Sequence, residues 1–235
     1  MKKFLILIVA VSLSSCAEMQ QVLSQLPQTQ GIGGLDISGG LKEALNNGIS
    51  KQVTKLTATD GFYRNAAVKI LLPEELRKVD AGLRQVGLGS LADEGLKVLN
   101  RAAEDAVKEA TPIFVDAVRN MTFMDAKSIL MGNESSATNY LQNSTSTALY
   151  GKFNPVIKNS FAKVGADKVW ANIITKYNSI PLINKVNPDL TDYVTNQAMN
   201  GVFKMVAVEE KNIRTNIASR TSVLLQKVFA MQDKM

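Results

Sequence analysis

The chain reads as an all-α protein: a single multi-helix, bundle-like domain of about eight or nine helices with two long central helices. Three observations predict this. Apolar residues recur at helical spacing rather than in alternation. Proline, glycine and capping residues stand where the apolar stripes stop. Alternating runs and Asn-Gly hairpins between β-branched segments are missing.

Leu41, Leu45, Ile49, Val53 and Leu56 make the first stripe. Pro73-Glu74-Glu75 opens a second helix, with proline at its first position and acids where the helix dipole favours them. That helix ends near Gly87 and Gly89. Ser90 with Asp93 has the spacing of an N-terminal cap. It introduces a long stripe through Leu91, Leu96, Leu99, Ala103, Val107 and Ala110. At Thr111-Pro112 either this helix kinks, or Thr111 caps a new helix with Pro112 at its first position. The segment continues through Ile113, Phe114, Ala117, Val118 and Met121.

Thr122 and Asp125 have capping-box spacing and open a short helix that Gly132-Asn133 closes. Residues 135–153 form a polar helix marked by Tyr140, Leu141, Leu149, Tyr150 and Phe153. Pro155 starts the next, with Val156, Ile157, Phe161 and Val164. Trp170, Ile173, Ile174 and Tyr177 mark another, and Pro181 to Pro188 is a loop with an apolar face. Leu190 to Arg214 is the second long helix, and Val223 to Met231 a terminal one. The helices beginning near Ser90 and Leu190 are expected to form the buried centre. Leu99, Val107, Phe114, Val202 and Met205 should lie inside it.

The N-terminus carries a different signal. Met1-Lys2-Lys3 precedes the apolar run Phe4 to Val11, then Leu13-Ser14-Ser15-Cys16. A charged start, a short apolar core and small residues before a cut are the layout of a secretory signal. Cleavage before a cysteine preceded by Leu, Ser and Ser is the bacterial lipoprotein pattern. The apolar run is about half the roughly 20 residues that a membrane-spanning helix needs. Attachment is therefore expected through lipid on Cys16, where several acyl chains hold a protein firmly. Residues 1–15 are read as the signal peptide, 16–40 as lipidated cysteine and flexible tether, and 41–235 as the helical domain. Met19, Val22, Leu23 and Leu26 share a helical face before Pro27. Gly31, Gly33, Gly34, Gly39 and Gly40 then resist regular structure. A flexible piece of that length spans about 20 Å. Ala17 follows the lipid site, not the Asp that favours inner-membrane retention in enterobacterial sorting. The expected location is thus the outer membrane, facing the periplasm.

Composition narrows the chemistry. The chain of 235 residues has no histidine, and Cys16 is its one cysteine. Ser-His-Asp and Cys-His catalysis and imidazole proton transfer are excluded. Metal sites of the usual nitrogen and sulfur kind are excluded too. Carboxylate chemistry, a Ser-Lys pair, or an oxygen-ligated Ca²⁺ or Mg²⁺ site remain. No EF-hand loop, phosphate-binding glycine loop or dinucleotide fingerprint is present, so no cofactor is expected. Losing residues 1–15 removes Lys2 and Lys3 and no acid, which lowers the formal charge from +6 to +4. The cations are dispersed rather than clustered, and nucleic acid is not an expected partner.

Several segments then resemble a known family. Asp60-Gly61-Phe62-Tyr63, Leu72-Pro73-Glu74-Glu75-Leu76, Asn100-Arg101-Ala102-Ala103-Glu104 and Pro112-Ile113-Phe114-Val115-Asp116-Ala117 come in that order. Met121-Thr122-Phe123, Asp192-Tyr193-Val194-Thr195 and Glu209-Glu210-Lys211 follow them. The ordered set resembles the bacterial envelope family of domain of unknown function 4197, from residue 41 to the C-terminus. The resemblance implies a secreted, largely helical protein, often a lipoprotein. It supplies no catalytic residues.

Among candidate sites, Glu209 and Glu210 stand on the second long helix. Asp192 lies about five helical turns earlier on the same face. Arg214 lies one turn after Glu210 and can pair with it. The functional reading is a carboxylate site for a metal or a general base; the structural one is a solvated face with an ion pair. Asp116 and Arg119 can pair along a helix. Asp60 reads as a turn residue and Asp125 as a cap. Tyr63, Tyr140, Tyr150 and Trp170 read as core, or as the lining of a ligand pocket. Ser50-Lys51, adjacent on a helix, would point to different faces. Three function classes follow. The first is an envelope module acting by protein contact, the second a carrier of lipid or another apolar ligand in an internal cavity, and the third a carboxylate-dependent hydrolase using Asp192, Glu209 and Glu210.

Overall fold

The computed structural model describes residues 34–85, 87, 89–166, 168, 171, 175, 178, 179, 185 and 189–234. Cys16, the signal and tether up to residue 33, Trp170, Ile173, Ile174, Tyr177 and most of the 181–188 loop lie outside them. Chain contacts divide the molecule after Gly33, and the described residues belong to the unit beginning at Gly34.

The fold is all-α. The described residues form eight α-helices and no strand. They are α1 (Gly34–Thr57), α2 (Glu74–Gln85), α3 (Gly89–Val107), α4 (Ala110–Asn120), α5 (Phe123–Leu130), α6 (Ser136–Lys163), α7 (Leu190–Thr215) and α8 (Val223–Phe229). Short 3₁₀ turns follow α7 and α8. No helix among the described residues is long and apolar enough to cross a membrane.

α7 runs through the middle and packs on α6, α1 and α3; α6 also packs on α3, α4 and α5. α1 carries α4, α5 and α8 on its remaining sides. The predicted stripe of α1 is buried from Leu41 to Leu56. Leu99, Val107, Phe114 and Val202 are fully enclosed as expected, and Phe114 meets Phe203 edge-on at 6.0 Å. Met205 is a correction: it is half-buried, because the inward turn of α7 there belongs to Val202 and Val206.

Two long helices are longer than the sequence reading made them. α1 begins at Gly34 rather than near Leu41, so Gly39 and Gly40 are helical. The reason is packing. A Cβ on Gly40 would sit 2.6 Å from Val228 Cγ2, so glycine is what lets α8 lie against α1. Pro155 does not start a helix but lies inside α6. Leu149, Phe153, Ile157 and Phe161 form one buried stripe across it. Burial of those side chains at about 1.5–3 kcal/mol each offsets the backbone bond that proline deletes.

The break between α3 and α4 resolves in favour of a new helix. It starts at Ala110 after Glu109, and Thr111 is not its cap. Pro112 is the third helical residue, still among the first four whose N–H groups have no helical partner. The Thr122–Asp125 capping box is present in full. Ser90 lies inside α3 rather than ahead of it as a cap, and Asp93 accepts from Arg84 Nη2 at 2.6 Å.

Candidate functional site

The buried charged residues gather in two places. The first is the C-terminal half of α7. Glu210 Oε1 accepts the backbone N–H of Ala137 at 2.9 Å, and its Oε2 accepts the N–H and hydroxyl of Thr138, each at 2.8 Å. Those two N–H groups belong to the first turn of α6, whose own N-cap, Ser135, makes no side-chain cap. Glu210 therefore caps α6 from another helix and places negative charge at its positive end. Arg214 Nε and Nη2 reach Glu210 Oε1 at 3.0 and 2.8 Å. The same guanidinium donates to Ile129 O at 2.7 Å and Leu130 O at 3.2 Å, the carbonyl end of α5. One ion pair thus ties the end of α5 to the start of α6.

Glu209 turns the other way, to α1. It accepts Lys51 Nζ at 2.6 Å and Gln52 Nε2 at 2.6 Å. Gly48, one turn earlier on α1, leaves room for it: a Cβ there would meet Glu209 Cγ at 3.2 Å. Beyond Arg214, Arg220 donates to Ile213 O and Arg214 O at 3.0 and 2.9 Å, closing the end of α7. Asp233 holds Arg220 from its far side, which raises the guanidinium pKa and keeps the Asp233 carboxyl below the usual carboxylate range. A pocket of about 20 Å³ lies between α1 and α7, lined by Leu41, Leu45, Ile49, Val206, Phe229 and the Glu210–Arg214 pair. That is room for about one water molecule.

The second cluster is on α3. Asn100 Oδ1 accepts Ile70 N–H at 2.8 Å, and its Nδ2 donates to Ile70 O at 2.9 Å and Leu96 O at 2.7 Å. Glu104 accepts Phe62 N–H at 3.1 Å. Arg101 bridges Glu104 and Asp60, at 2.8 Å to each. Asp60 has φ +66°, a left-handed turn position that aspartate tolerates better than most residues. Phe62 is fully buried against Gly201 of α7, where a Cβ would stand 2.7 Å from the ring. The polar residues of Asn100-Arg101-Ala102-Ala103-Glu104 all serve to hold the segment that contains Asp60-Gly61-Phe62-Tyr63.

Asp192 joins neither cluster. It is exposed near the start of α7 and accepts the Tyr150 hydroxyl at 2.7 Å, a bond that raises the tyrosine pKa. It shares a face with Glu210, but 18 residues of helix set them about 27 Å apart. The three candidate carboxylates are thus not brought together. Two further expectations need correction. The Glu210–Arg214 pair is not on a solvated face; the two side chains are 5% and 4% exposed. Tyr150 is on the surface rather than in the core, while Tyr63 and Tyr140 are half-buried. Asp116 and Arg119 do pair, at 3.3 Å on an exposed face, and Asp125 is the cap it was expected to be.

Gln52, Thr138 and Arg220 were not foreseen as site residues. Gln52 carried a signal: it continues the stripe of Leu41, Leu45 and Gly48 as a polar residue on a buried face. Arg220 carried none, since it lies outside any periodic element.

Neither a curated protein nor a solved structure matches this sequence. A family model does, over residues 32–230, and its description is "Protein of unknown function (DUF4197)". Apart from Asp233, the residues that meet in the two clusters fall inside that span, and the chain belongs to the DUF4197 family.

Proposed function

We propose that this is a membrane-tethered, non-enzymatic helical lipoprotein of the bacterial cell envelope, acting by contact with a protein or an apolar ligand. The observation that carries the reading is the use of the buried carboxylates. Glu104, Glu209 and Glu210 each accept hydrogen bonds that join one element to another. Glu210 receives five hydrogen bonds, three from Ala137 and Thr138 of α6 and two from Arg214 of its own helix, which occupies its acceptor capacity. Such groups build a rigid body, and the signal pattern ending at Cys16 would hold that body at the outer membrane, facing the periplasm.

The two alternatives fare less well. A carrier needs a cavity, and the pocket between α1 and α7, at about 20 Å³, takes no acyl chain. A glycosidase-type hydrolase built on Asp192 and Glu210 needs their carboxyl groups about 5–9.5 Å apart, and Asp192 is far outside that distance from Glu210. Protein contact is therefore the favoured mode. Cell fractionation tests the tether: the protein should be in the outer-membrane fraction and Cys16→Ala should be soluble or uncleaved. Correctly processed Cys16→Ala retained in the membrane contradicts it. The mature protein should also show no turnover of glycans, esters or peptides that Asp192→Asn abolishes.

A further inference from the structure

The segment between α1 and α2, residues 58–73, has no helix of its own but is firmly held. Loops of this length without secondary structure are uncommon in compact domains and tend to be functional. Its inner side is fixed by buried Phe62, Val68, Ile70 and Leu72. Asn100 and Glu104 bond its backbone, and Tyr193 donates to Leu71 O at 2.9 Å. Its outer side presents Arg64, Ala66, Ala67 and Leu71 in full view, with half-buried Tyr63 and Lys69 between them. Lys69 Nζ stands 4.4 Å from the centre of the Tyr63 ring.

Of its own residues, the loop carries two cations, Arg64 and Lys69, and one acid. Its acid, Asp60, is mostly buried and already shared by Arg101 and Arg64, whereas the Arg64 side chain is 80% exposed. Arg and Tyr are among the residue types enriched in interface hot spots. Ala66 and Ala67 give low relief, so another backbone can approach. A loop fixed in advance loses little freedom on binding. The loop begins where α1 ends, at Thr57.

We propose that the loop from Asp60 to Leu72 is the partner-recognition surface and that it takes an acidic protein segment, whose carboxylates meet Arg64 and Lys69. The proposal rests on the contact reading above and names its surface. The test uses the full-length chain in cells, with a photo-crosslinking residue at Ala67 or Leu71 and a control at exposed Lys152 on α6. The expected result is a discrete protein adduct from positions 67 and 71 and none from 152. Its crosslinked peptide should carry Asp or Glu, and the adduct should fall by about 10-fold in Arg64→Glu/Lys69→Glu. If that double variant melts earlier than the parent, Lys69→Ala alone should still weaken the adduct. The absence of an adduct at 67 and 71, an adduct to lipid or glycan, or one indifferent to charge overturns the proposal. Fractionation of the same cells separates the readings. A soluble protein with a loop adduct defeats the tether alone; a membrane-bound one without an adduct defeats the loop alone.

Discussion

Glu210 and Arg214, one turn apart on α7, form an ion pair at 2.8 Å that is almost wholly removed from water. Desolvating two charges is costly, and the pair persists because each member makes further bonds: Glu210 to the start of α6, Arg214 to the end of α5. Arg214→Met leaves the carboxylate buried without its cation and two carbonyls without a donor. It should destabilise the protein by about 3–5 kcal/mol in urea unfolding. A loss under about 1 kcal/mol contradicts the pair's structural role.

Leu99 and Phe114 are fully enclosed at the centre of the fold. Truncation to alanine should cost about 2–5 kcal/mol for Leu99 and about 3–5 for Phe114, measured by the same unfolding assay. Little change at both sites would mean that these helices do not form the core.

Two helical glycines should respond in opposite directions. Gly201→Ala drives a methyl into the Phe62 ring and should destabilise by about 1–3 kcal/mol. Gly151, inside α6, faces open space. Gly151→Ala should raise stability by about 0.4–1 kcal/mol through the entropy of the unfolded chain. Equal effects at the two positions would contradict the close contact of Phe62 with α7.

The C-terminal contact should weaken in acid. Arg220 holds the Asp233 carboxyl below its ordinary pKa. A carboxylate depressed in the fold contributes stability above its unfolded pKa, about 3.9, and loses it as pH falls through the folded value. The parent should therefore melt above Asp233→Asn at pH 6, with the difference closing as the pH drops below about 4. A difference independent of pH would assign the effect to packing instead.

Much of the fold was legible because burial writes itself into periodicity. The stripe from Leu41 to Leu56 and the Thr122–Asp125 box are local signals, and both are present in the structure. What was not legible depends on partners distant in sequence. Gly40 is helical because Val228 packs on it, and Pro155 is helical because its neighbours Phe153 and Ile157 are buried. The i,i+4 spacing of Glu210 and Arg214 announced an ion pair but not its burial. That burial follows from α5 and α6 meeting over the end of α7. The Asn100–Glu104 segment stood out as a motif, yet its work became plain only when Phe62 and Ile70 were seen against it.

The proposed lipidation of Cys16 is open to direct measurement. The most direct measurement is mass spectrometry of the N-terminal peptide from protein extracted from the membrane fraction. The expected result is a chain that begins at Cys16 and carries acyl groups on that residue. A chain that still begins at Met1, or one that begins at Cys16 with an unmodified thiol, would contradict it.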